Sequence, residues 1–184
     1  MKEFISKVLS NNSKFHQDSL TYKDRKKVEK CVLDSFGVDN MISLRDIYEG
    51  DAFFEKFLQK IISIIILENL LKKDFIDWDT MNPKNFKSVL KINNKIIDVI
   101  TSEFGVFPTI EIKNYNPAII AIKKDDKNVW ICGYADIDTL NNYQDENLVK
   151  FGATKGYNDK TAFVGFDKLK PFKSIEELEL LINS

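Results

Sequence analysis

The chain has 184 residues, of which 43% are hydrophobic and 30% are charged, with a formal net charge of −1. This balance is typical of a folded domain with a real core, and it lacks the global basic excess that favours non-specific nucleic-acid binding. A single histidine (His16) and two cysteines in dissimilar contexts (Cys31, Cys132) exclude a His-rich zinc site, argue against structural zinc and a disulfide framework, and favour a cytoplasmic protein.

The N-terminal part of the chain is polar and helical in pattern, and it has no apolar signal core. Ser43 is predicted to cap one of its helices, with Asp46 three residues later. We expect residues 1–50 to form an N-terminal helical region. Its predicted helices are 2–9, 22–36 (ending at Gly37) and 43–48.

The strongest helix signal covers residues 51–73, where Asp51 is the expected cap and a wide apolar face indicates burial against a sheet. Ser63 interrupts its apolar run, which is too short to span a bilayer, so no membrane contact is expected. After Val89 the hydrophobic period changes to that of strands. The predicted strands are 88–92, 95–102, 109–113, 118–122, 129–134 and 161–166, with helical segments at 137–143 and 174–182 and a polar loop at 144–160.

This order predicts an α+β fold in which a mixed, mostly antiparallel central sheet is flanked by helices, with residues 51–184 as the α/β core. Asn93-Asn94 is predicted to form a tight turn between the first two strands. A second turn near Phe104-Gly105 would fold the next two strands into a hairpin.

That second hairpin has a register that places two acids side by side. If Phe104 and Gly105 form a two-residue turn, Asp98 lies opposite Glu111 with Cβ atoms roughly 5 Å apart, and Lys113 points to the same side. Ile97, Val99, Ile110 and Ile112 would then share the buried face. Adjacent carboxylates repel unless a cation or a proton joins them, so a divalent metal would relieve this cost.

The chemistry that suits this pattern is metal-dependent hydrolysis of a phosphodiester. Asp98 and Glu111 would bind Mg²⁺ (or Mn²⁺) together with the backbone carbonyl of Ile112. Lys113 would orient the attacking water and offset developing negative charge. The alternative is a solvent-exposed sheet face that carries a structural Glu–Lys network.

Asp98 and Glu111-Ile112-Lys113, preceded by the helix 51–73, resemble the PD-(D/E)XK superfamily of restriction-endonuclease-like nucleases over roughly residues 51–134. The resemblance implies a Mg²⁺-dependent nuclease acting on DNA rather than RNA, with Asp98, Glu111 and Lys113 as catalytic residues. It also suggests an acid on the first core helix, for which Glu55 is the candidate and Glu68 the rival. Ile97 departs from the proline that often precedes the family's aspartate.

Contacts with nucleic acid are expected from Asn114 and Tyr115, after the lysine strand, and from the basic turn at Lys123 and Lys124. Because many related nucleases cut duplexes as dimers, a homodimer is a further expectation.

Two alternatives to a nuclease stay open. One is a non-catalytic nuclease-fold protein, such as a phage or mobile-element accessory or inhibitory protein, that binds a protein or nucleic-acid partner. The other is an unrelated α+β protein.

Overall fold

A computed structural model describes residues 2–149 and 159–184 of the chain. Within these residues, no helix is both long enough and apolar enough to cross a membrane. The helices are α1 (Lys2–Lys7), α2 (Tyr22–Phe36), α3 (Met41–Arg45), α4 (Gly50–Leu71), α5 (Ile137–Asn142) and α6 (Ile175–Asn183). The strands are β1 (His16–Ser19), β2 (Val89–Ile92), β3 (Lys95–Glu103), β4 (Thr109–Glu111), β5 (Ala118–Lys123), β6 (Asn128–Ala135), β7 (Gln144–Asp145) and β8 (Lys160–Phe163).

Local capping chemistry sets the ends of the N-terminal helices. The Thr21 side chain accepts the backbone N–H of Asp24 at 3.1 Å, which starts α2, and Gly37 ends it in the left-handed conformation. Helix α3 begins earlier than predicted, because Asn40 accepts the N–H of Ser43 at 3.0 Å. Ser43 therefore lies inside the helix, and its predicted role as the cap is wrong.

The strands form two sheets. The larger has the order β1-β6-β5-β3-β2, in which β3 and β5 are parallel and every other pair is antiparallel. The smaller has the order β4-β8-β7 and is antiparallel. The prediction of an α+β fold with a mostly antiparallel central sheet flanked by helices is confirmed. The edge strand β1 was not predicted, and of the predicted loop 144–160, residues 150–158 lie outside the described residues.

Each face of the five-stranded sheet packs against a different layer. Ile119 and Ala121 of β5 join a core with α4, α2 and α6, whereas the alternating Ile120 and Ile122 join a second core with the small sheet and α1. Residues from the first fifty contribute to both cores, through Val28 and Val32 in the first core and Phe4 and Val8 in the second.

The predicted hairpin between β3 and β4 is wrong. Both edges of β3 are occupied, by β2 and by β5, so that Asp98 lies opposite Val89 and Ala118. Strand β4 belongs to the other sheet and pairs with β8, which places Glu111 opposite Lys160.

The residues after β3 explain why the chain does not return along it. A turn does form, because the N–H of Val106 donates to the carbonyl of Glu103 at 3.0 Å and Gly105 has a φ of +87°. Phe107 is then buried in the second core, and Pro108 has no N–H to donate to a ladder on β3. The Pro108 carbonyl instead accepts the N–H of Phe163 at 2.8 Å, which leads the chain into the small sheet.

Candidate functional sites

Asp98 lies near the start of β3 and is half-buried. Its neighbours Ile97 and Val99 fill the core beneath α4, so Asp98 points to the opposite face of the sheet. Burial raises the pKa of its carboxyl, and a hydrogen bond with the Asn116 side chain opposes that shift. Asp98 is therefore a carboxyl whose charged form is penalised in the folded protein.

Glu111 ends β4, where its carboxylate forms an ion pair with the ammonium of Lys160 on β8. The preceding Ile110 is buried in the second core, so Glu111 occupies the alternate face of the small sheet. Asp98 and Glu111 thus lie on different sheets and are not paired. This removes the register on which a shared metal ion was predicted.

The remaining predicted metal ligand and the predicted catalytic lysine also have other partners. The carbonyl of Ile112 accepts the Nε2 of Gln144 at 3.0 Å, and the Ile112 side chain is exposed, against the prediction that it is buried. The ammonium of Lys113 lies 5.5 Å from the ring centre of Tyr115. In the described part of the chain, no group of three or more His, Cys, Asp or Glu residues is arranged to hold a metal ion. The Mg²⁺ or Mn²⁺ site and these catalytic roles stay predictions.

Helix α5 holds in place the segment that follows Lys113. The backbone N–H and the Nδ2 of Asn114 both donate to Oδ1 of Asn141, at 2.8 and 3.2 Å. The adjacent Tyr115 is 75% exposed. Asn114 therefore holds the loop in place, and Tyr115 is the exposed member of the predicted nucleic-acid pair.

The two helix acids proposed as catalytic support lie with α4, on the face of the sheet that Asp98 does not face. Glu55 is exposed on α4. Glu68 is half-buried, and its Oε1 accepts the backbone N–H groups of Phe75 and Ile76, both at 2.6 Å. Burial is the main cause that raises the pKa of Glu68. Glu68 thus ties down the segment that follows α4.

Of the two lysines predicted to contact nucleic acid at the turn between β5 and β6, one is exposed. Lys123 is 8% exposed, and its Nζ lies 3.3 Å from Oδ1 of Asp126. Lys124 is exposed, with its ammonium 5.3 Å from the ring centre of Trp130. Lys124 is accordingly more accessible to a phosphate than Lys123.

A groove of about 780 Å³ opens where β3 and β5 begin and β6 ends. Tyr115 and Asn116 line it, together with Asp136 and Lys170, whose side chains pair at 2.8 Å. The Lys170 ammonium is the main cause that lowers the pKa of Asp136 to about 2. Of the predicted residues, Tyr115 lines this groove directly. Asp98 is connected to it through its hydrogen bond with Asn116.

A second groove was missed from the sequence and lies between α2 and the segment 78–84. It has a volume of about 500 Å³ and is called the Trp78 groove here; its charged and aromatic lining includes Lys27, Lys30, Asp34, Trp78, Asp79 and Lys84. The Lys27 ammonium lies 5.7 Å from the Trp78 ring centre, and that of Lys84 lies 4.6 Å from the Phe36 ring centre. The available signal was the run of basic residues in α2, which was interpreted only as part of a polar helical pattern.

Comparisons with models of protein families, with curated proteins and with solved structures found no match to this chain. Its function is therefore inferred from the chemistry of these grooves.

Proposed function

We propose that this chain is a nucleic-acid-binding protein and that the Trp78 groove is its binding site. The observation that carries the proposal is the Lys27 ammonium over the Trp78 ring, with Lys30 and Lys84 lining the same concave surface. Lysines supply contacts to phosphates, and aromatic rings supply surfaces on which bases stack. Both chemistries meet at the Trp78 groove.

The local charge supports this assignment. Helix α2 carries five basic and three acidic residues, and residues 72–87 carry four basic and three acidic, whereas the whole chain has a net charge of −1. The ion pair between Lys30 and Asp34, at 2.5 Å, is exposed on both sides. Exposed pairs of this kind contribute little to stability because water and salt screen them, so a phosphate can compete for the lysine.

The separation of Asp98 and Glu111 supports binding without cleavage, the non-catalytic alternative, over metal-dependent hydrolysis.

The two cysteines are free thiols in the structure. Free thiols suit a reducing compartment, which supports the proposal of a cytoplasmic protein. A homodimer stays a prediction.

Fluorescence anisotropy with labelled DNA and RNA tests the proposal. Affinity is expected to fall between about 50 and 200 mM salt, because binding releases counterions. Lys27→Gln, Lys30→Gln and Lys84→Gln should each weaken binding and reduce the salt slope by about 1. Lys124→Gln is the matched control, since it removes a lysine placed over a different aromatic ring. A larger effect of Lys124→Gln would place the site at the β5–β6 turn instead, and no binding at low salt would refute the proposal.

A cleavage assay separates the two alternatives. The protein is incubated with plasmid and single-stranded DNA in the presence of Mg²⁺ or Mn²⁺, alongside Glu111→Gln and Asp98→Asn. We expect intact DNA throughout. Cleavage by the wild type that both substitutions abolish would establish the nuclease and overturn the non-catalytic assignment.

A further inference from the structure

We infer that the Trp78 groove selects single-stranded over duplex nucleic acid. This inference rests on the proposed function and adds the class of ligand to it. Three features of the groove carry it: its concave shape, its accessible aromatic ring and the mixture of charges in its lining.

The shape of the groove does not suit a duplex. Proteins that read duplex DNA usually insert a protruding helix or β-ribbon into the major groove, which is about 12 Å wide. Helix α2 does not protrude in this way, because the segment 78–84 packs along it. Lys84 donates to the carbonyl of Ser35 at 2.9 Å, and the Cys31 thiol contacts the carbonyl of Met81 at 3.9 Å. The resulting cavity of about 500 Å³ is in the range of pockets that hold small molecules, and an unstacked nucleotide is such a ligand.

The ring of Trp78 offers a stacking surface. Trp78 is partly buried against the first core, which holds the indole in place, and Lys27 lies over its ring. An entering base can replace the ammonium on the ring while the ammonium turns to the phosphate of the same nucleotide. Both groups then keep a favourable partner. In a duplex the bases are already stacked on one another and cannot reach the ring.

The acids of the groove also favour an unpaired base. Asp34 and Asp79 line the cavity among the lysines, so the cavity offers hydrogen-bond acceptors as well as cations. A carboxylate accepts hydrogen bonds from the exocyclic amine of cytosine. In single strands the Watson–Crick edges of the bases are free to make such contacts.

Anisotropy with a single strand and the duplex of the same sequence, at one salt concentration, tests the inference. We expect at least about tenfold tighter binding of the single strand. Trp78→Ala should weaken single-strand binding by about 5- to 150-fold, the range for loss of one stacked base, and leave duplex binding unchanged. Trp78→Phe should retain most of the affinity, which separates stacking from misfolding.

Tyr22→Ala is the matched control. Tyr22 is 77% exposed, and the Lys26 ammonium lies 5.6 Å from its ring centre. Both residues belong to α2, like Lys27, but they lie outside the groove. Its loss should change single-strand affinity less than twofold. Equal binding of both forms, or equal effects of Tyr22→Ala and Trp78→Ala, would overturn the inference while the proposed function stands. Absence of binding to every nucleic acid would refute the proposed function itself.

Discussion

Substitution of Gly133 by alanine is expected to destabilise the protein through two separate effects. Gly133 lies in β6 with a φ of +142°, a backbone conformation that residues with a Cβ atom rarely adopt. An alanine Cβ at this position would lie 2.9 Å from the carbonyl oxygen of Lys170 and 3.0 Å from the Cβ of Leu169. The substitution therefore combines backbone strain with a clash against a neighbouring backbone segment.

The clash falls on a bridge that joins β6 to the chain before α6. The backbones of Tyr134 and Lys170 exchange two hydrogen bonds of 2.9 Å beside Gly133. Backbone strain costs roughly 1–3 kcal/mol, and each lost hydrogen bond costs about 1 kcal/mol. A loss of about 3 kcal/mol in the free energy of unfolding follows, which for a chain of this size lowers Tm by about 6–12 °C.

Urea and thermal unfolding followed by circular dichroism measure this loss. Gly37→Ala is the control, because Gly37 also has a positive φ, +67°, but nothing lies within 4 Å of its added Cβ. It should lose about 1–2 kcal/mol from the left-handed conformation alone. The reasoning about the close approach to Lys170 is refuted if both substitutions cost the same, or if Gly133→Ala changes stability by less than about 0.5 kcal/mol.

Two carboxyl groups give further predictions. Glu68→Ala should cost about 1–3 kcal/mol by urea titration, because two backbone N–H groups lose their acceptor. Since burial raises the pKa of Glu68, the wild type should lose stability relative to Glu68→Gln as the pH rises above its ordinary value of 4.5; a pH-independent difference would contradict this. Asp136→Ala removes the N-cap of α5 and should cost about 1 kcal/mol, whereas Asp136→Asn should largely keep the cap. With the pKa of Asp136 lowered to about 2, its charge-dependent stabilisation should be complete well above pH 3.8 and vanish as the pH falls through 2, as acid unfolding of the wild type compared with Asp136→Asn can show.

The elements that were predicted well are those set by neighbouring residues. Helix α2 has its predicted bounds, because Thr21 and Gly37 cap it at both ends. The turn between β2 and β3 forms at Asn93 and Asn94, both with positive φ, as asparagine in a tight turn allows. Such signals lie within a few residues of one another in the sequence.

Strand pairing between distant segments could not be predicted in the same way. Burial of Ile97 and Val99 was predicted correctly, because alternation alone decides it. The strand that pairs with β3 was predicted wrongly, because the path of the chain after β3 depends on where Phe107 is buried. Phe107 packs in the second core, which includes strand β8, about fifty residues later in the chain. Glu111 therefore has a salt-bridge partner, Lys160, that no local pattern indicated.

The edge strand β1 and the Trp78 groove were missed for a related reason. The sequence His16–Ser19 is polar and half-exposed, and it forms a strand because β6 offers it a free edge. The lysines of α2 look like an ordinary solvated helix face until the segment with Trp78 packs beside them. Both features arise from contacts made by the folded chain.

The single parallel pairing in the large sheet bears on how fast the protein folds. The β2–β3 and β5–β6 hairpins each close short loops and can form early, but β3 and β5 must then align across residues 104–117, which first lead into a different sheet. Closing such loops costs chain entropy before the contacts compensate for it. We expect refolding in the millisecond-to-second range, limited by the docking of the two hairpins on α4.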